Sequence, residues 1–96
     1  MRQTSGNYLA CGYQQLAVSS AAVGLTLPII DGHYPNYAHL DVETNDVRWR
    51  DDGVDPSATV GKVLQQSTDL FYPGDLSKLR FIRVANDAIV NISYYA

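Results

Sequence analysis

Glutamate is nearly missing from this chain: of its ten acidic residues nine are Asp, and only Glu43 is Glu. Asp favours turns where Glu favours helices, so the acid usage argues for strands and loops. Cys11 is the only cysteine, which excludes an internal disulfide and a cysteine-held zinc ion and suggests an intracellular or non-redox setting. Long apolar runs are also missing. The most apolar stretch, Leu16 to Leu27, is broken by Ser19, Ser20 and Gly24 and is too short to span a bilayer. Arg2 is followed by the polar QTSGN rather than by the apolar core of a secretory signal. The expectation is a soluble, unprocessed chain that begins at its own Met1 and has no membrane partner. There is no basic run either. Seven basic residues against ten acidic ones give a formal charge of -3, which argues against a nucleic-acid partner.

What the chain does have is enough apolar sequence for one small core. Apolar residues make up 46% of 96 residues and charged ones 18%, which argues against disorder. A chain this short buries only about 60 to 65% of the surface that it exposes unfolded. Residues 1–96 read as a single domain with a thin core. Residues 1–12, polar and glycine-containing, read as an arm or a loosely attached first strand.

The strongest local pattern is AHLDVETNDVRWRD, Ala38 to Asp51. Strand side chains alternate between faces, so Leu40, Val42, Val47 and Trp49 share a core face, while Asp41, Glu43, Arg48 and Arg50 share a wet one. With Asn45 and Asp46 as the loop of a β-hairpin, Glu43 lies opposite Arg48, Asp41 opposite Arg50 and Val42 opposite Trp49. Burial of one face would fix that register, and the charges become a surface ladder worth about 0.2 to 1 kcal/mol per pair. Truncating a buried Trp49 would cost about 3 to 5 kcal/mol.

Further along, DDGVDPS reads as a wide loop, Gly61 as a bulge or kink, and Asp75 or Ser77 as the cap of a single helical turn. The last segment, LRFIRVANDAIVNISYY, reads as two strands around a second Asn-Asp pair, Asn86 and Asp87, with Phe81 opposite Ile92 and Leu79 opposite Tyr94. Seven or eight short strands at regular spacing, with no sustained helical period, predict a compact antiparallel β-sandwich or jelly roll. Val42, Trp49, Phe81, Val90 and Ile92 would join in its core.

No residue pattern points to catalysis, a cofactor or a metal. Asp41 and Glu43, about 7 Å apart on one strand face, invite a glycosidase reading, but an arginine opposite each would hold both ionised. Asp51, Asp52 and Asp55 lack the alternate-residue spacing and closing Glu of a calcium loop. His33 and His39 stand apart, separated by Pro35, in no ligand-spaced motif. Tyrosine, with seven copies, is the residue in excess. Tyr34, Tyr37, Tyr72, Tyr94 and Tyr95 fall in loops or at strand ends, where an amphipathic ring can lie on a partner. Of Tyr94 and Tyr95 one must face in and the other, Tyr95, out. Tyr8, Tyr34, Tyr37 and Tyr95 are the candidate interface residues.

The run VRWRDDGVDPSATVGKVL, Val47 to Leu64, followed by FYPGDLSKLRFIRVANDAIVNISYYA, Phe71 to Ala96, resembles small virion-associated proteins encoded beside the capsid genes of tailed bacteriophages. The similarity covers Val47 to Ala96. It rests on Arg-aromatic-Arg, an Asp-Gly, a Pro among small polar residues, a Gly, and a last strand ending in Ser-Tyr-Tyr. The resemblance implies a β-sandwich or jelly roll that binds a capsid or another virion component as a cement (decoration) protein or minor structural part. It would be made in the host cytoplasm, located in the virion, non-enzymatic and homo-oligomeric. The alternative is a sugar- or receptor-binding β-sandwich in which Tyr34, Tyr37 and a loop Asp hold a carbohydrate.

Overall fold

Alternation of apolar and polar residues builds eight strands in the computed structural model, which describes residues 9–96. They are β1 (Ala10–Val18), β2 (Val23–Gly24), β3 (Tyr37–Thr44), β4 (Val47–Arg50), β5 (Lys62–Leu64), β6 (Asp69–Pro73), β7 (Arg80–Arg83) and β8 (Ala88–Tyr95). A 3-10 turn, Leu76–Lys78, is capped by Asp75, whose carboxylate accepts from the Ser77 backbone N–H. No helix among the described residues is long and apolar enough to cross a membrane. The segment expected as an arm is part strand: Ala10 to Gly12 already belong to β1.

Four ladders nest inside one another: β1 with β8, β2 with β7, β3 with β6 and β4 with β5. The chain is thus one long antiparallel ribbon with its bend in the 51–61 loop, rolled up so that further ladders, β3 with β8 and β4 with β7, close two sheets. Their orders are β1-β8-β3-β6 and β2-β7-β4-β5. This is the jelly roll, and the predicted all-β sandwich is what the chain forms.

Neither Asn-Asp pair makes the expected hairpin. β3 and β4 lie in different sheets, as do β7 and β8, so Asn45-Asp46 and Asn86-Asp87 are corners where the chain crosses the sandwich. A type I′ hairpin needs φ > 0 at both central residues; Asn45 alone has it, at 60°, and the second pair has none. The crossovers bind one another instead. The Asn45 side-chain amide donates to the Asp87 carbonyl, the Val84 N–H to the Asp46 carbonyl, and Gln66 bridges Asn45 N and the Asp46 carboxylate.

The predicted faces are nevertheless right. Leu40, Val42, Val47, Trp49, Leu79, Phe81, Val90, Ile92 and Tyr94 are all buried in one core. Residues expected as neighbours along one sheet meet across the sandwich instead. Trp49 marks the rim of that core, with Tyr72 edge-on at 6.0 Å and the Lys62 ammonium 4.9 Å over its ring. The deepest large side chains are Tyr94 and Phe81, each 1% exposed.

Candidate functional site

Because β3 and β4 separate into different sheets, the acids and arginines of the strongest motif part company. Asp41 and Glu43 point outward from the first sheet, Arg48 and Arg50 outward from the second, and the predicted charge ladder does not exist. Asp41 has Asn91 and Asp69 as cross-strand neighbours, and Glu43 accepts from the Asn91 amide at 2.9 Å. The ion-pairing argument against a two-carboxylate site falls with the ladder. The two acids lie in a shallow groove with His39, Ser67, Thr68 and Asp69, where the His39 ring contacts the Asp69 carboxylate at 2.8 Å. Among the described residues no three ligating side chains are placed to hold a metal ion.

The arginines have structural work. Arg48 donates to the carbonyls of Ala58 at 2.9 Å and Gly61 at 2.8 Å, which draws the 51–61 loop over the outer face of the second sheet. Arg50 donates to Asp52 and so holds the Asp52 carboxyl below its usual range. Asp51 accepts from the Tyr72 hydroxyl at 3.0 Å; burial first, then this hydrogen bond, raises the Tyr72 pKa. Gly61, at φ 137°, turns as predicted, and a Cβ there would lie 3.1 Å from Pro56 Cβ.

The 51–61 loop crosses part of the second sheet's outer face, where Arg48 and Arg80 contact it and Val63 stays 46% exposed, while the outer face of β1-β8-β3-β6 carries most of the candidate residues. Its rows follow from the register. Tyr37 lies opposite Tyr95 and Pro73; the next row holds Tyr13, Ser93, His39 and Phe71; the next Gln15, Asn91, Asp41 and Asp69. One end is therefore aromatic and the other amide and carboxylate. Phe71 stacks on Tyr37 at 5.7 Å and tilts against Tyr95 at 6.5 Å. Tyr13 and Gln15 both donate to the Asn91 carbonyl oxygen.

Two of the four candidate interface tyrosines, Tyr37 and Tyr95, are thus brought together on this face. Tyr94 turns inward and Tyr95 outward, as expected. Tyr34 is elsewhere, in the β2–β3 loop, 58% exposed beside a groove shared with Leu27 and Ser77. Tyr8 lies outside the described residues. Phe71, Tyr13 and Asn91 were not singled out from sequence. Alternation in DLFYP shows that Phe71 opposes Tyr72, but only the ladder with β3 shows that it joins Tyr37. No family model, curated protein or solved structure matches the chain.

Proposed function

We propose that the chain is a non-enzymatic structural protein of a tailed-phage particle, which binds and stabilises the shell as a cement protein or serves as another virion component. The observation that supports this most is the use to which the fold puts the residues carrying the resemblance. Arg48 and Gly61 fasten the 51–61 loop, Arg50 and Asp52 brace its start, Asp51 anchors Tyr72, and Asp75 caps the 3-10 turn. A motif whose polar groups are consumed in holding loops is a scaffold signature, and scaffolds act by the surfaces they present. Jelly rolls serve viral capsids and lectins alike, so the fold by itself does not choose between them. The test is the particle. The protein should co-sediment with its own virus and appear in the mass spectrum of purified virions; its absence from both sinks the reading.

A second reading is favoured by the graded face. Aromatic rings beside Asp41, Asn91, Glu43 and the His39–Asp69 pair give an apolar platform next to hydrogen-bonding groups, the chemistry by which a sugar's ring face and hydroxyls are held. A glycan array without signal removes that alternative.

A further inference from the structure

The four sheet edges are not treated alike. An exposed edge strand invites pairing with another chain, and proteins blunt it by shortness, charge or proline. β2 is two residues long; β5 is three and carries Lys62; β6 begins with Asp69 and ends with Pro73. β1 has nine residues with neither charge nor proline. Its one irregularity is a bulge between Ala10 and Gly12, after which Gly12 to Val18 run in unbroken register with β8. Among the described residues β8 is its only ladder partner, and no backbone hydrogen bond outside that ladder involves Ala10 to Val18. The segment that forms this flank carries no charge of its own, and the charges nearest to it are Arg80, whose guanidinium lies beside Gly24, and Arg83, whose N–H donates to the Ser19 carbonyl. From Gln3 to Ile30 there is no Asp, Glu, Lys, Arg or His, and β1 and β2 are the edges that share this side.

We infer that β1 is an association edge, and that its occupant is β1 of a second copy, antiparallel about a two-fold axis. The inference goes beyond the particle reading and does not rest on it. An isologous contact must be self-complementary, and a molecule of charge -3 meets least repulsion from its copy along a strand that carries no charge, as β1 does. Centring the regular run on Gln15 sets Gln15 against its symmetry mate and Tyr13 against Ala17. Gln14 then lies against Leu16 and Gly12 against Val18, small against large, with every inward residue still inward. The two outer faces then form one continuous sheet of eight strands, which doubles the surface proposed above as the working one.

Sedimentation equilibrium of the whole chain tests this. The wild type should approach twice its 10.6 kDa as concentration rises, and its β1 amides should exchange more slowly in step. Gln15 is exposed, so the monomer tolerates change there, checked by circular dichroism. Gln15→Lys and Gln15→Glu each set like charges together on the axis and should weaken the dimer about fivefold or more. Mixing the two variants should restore it. A wild type that stays monomeric at millimolar concentration overturns the proposal, as do variants that dimerise like the wild type, or a mixture that does not re-form the dimer.

Discussion

Tyr94 offers the sharpest test of the core. Its ring is 1% exposed, and its hydroxyl donates to the Gln14 side-chain oxygen at 2.7 Å, which also accepts from the Thr26 N–H at 3.1 Å. Tyr94→Phe removes one hydrogen bond but leaves that acceptor satisfied, so the cost at neutral pH should be only about 1 kcal/mol. Alkaline pH separates the variants further. Burial pushes the Tyr94 pKa up to about 12, against about 10 in an unfolded chain. The folded state therefore retains the proton over that interval, and stability is full below about pH 10 and lost as pH rises towards 12. A shift of about two units corresponds to roughly 3 kcal/mol. Urea midpoints followed by the single tryptophan, Trp49, measure both effects. Wild type should lose several kcal/mol between pH 9 and pH 12 by this reckoning, and Tyr94→Phe distinctly less, with the remainder including the raised pKa of Tyr72. Equal losses in the two proteins would refute the placement of the Tyr94 hydroxyl in the core.

Gly61→Ala should destabilise by more than about 1 kcal/mol, because it meets both a positive φ and the Pro56 and Arg48 side chains. Gly32→Ala, at φ 78° with open space around it, should cost about 1 kcal/mol from the backbone alone; thermal midpoints that rank the two in reverse would contradict the loop packing. Arg48→Gln should release the 51–61 loop, costing about 1 to 2 kcal/mol for two hydrogen bonds from a half-buried cation, and limited proteolysis should cut there faster. In a double-mutant cycle Glu43→Gln and Arg48→Gln should add within about 0.5 kcal/mol, whereas a coupling near 1 kcal/mol would restore the hairpin that the fold rejects.

The faces of the strands were legible and their partners were not, for a physical reason. Period-two alternation states which side of a strand is buried, so Val42, Trp49, Phe81 and Ile92 could be assigned to the core from sequence. It does not state whether two buried faces lie side by side in one sheet or opposite each other across a sandwich, because both arrangements bury the same atoms. The turn residues carry that distinction. Asp31 and Gly32, with φ of 51° and 78°, form the true type I′ turn, closed by reciprocal hydrogen bonds between Ile30 and His33. Asp-Gly is the pair that tolerates φ > 0 at both positions; Asn-Asp is weaker, and both such pairs became corners. The candidate face was legible only in part. Tyr37 and Tyr95 stood out by residue type, while their meeting with Phe71 depends on ladders between segments far apart in sequence.

Crossing the sandwich also alters what the charges of Ala38 to Asp51 are for. On one hairpin, Asp41 and Glu43 would have neutralised Arg48 and Arg50 and left an inert surface. In the jelly roll the sheets stand about 10 Å apart, and outward side chains on opposite faces are farther still, beyond the roughly 8 Å over which salt leaves exposed charges coupled. On the second sheet Asp52 balances Arg50, while Arg48 is held by the neutral carbonyls of Ala58 and Gly61 and keeps its positive charge. Asp41, Glu43 and Asp69 meet Asn91 and His39 instead, which leaves the first sheet's face acidic beside its aromatic row. A molecule docking there would match the face best by offering apolar surface to the rings at the Tyr37 end and hydrogen-bond donors to the carboxylates at the Asp41 end.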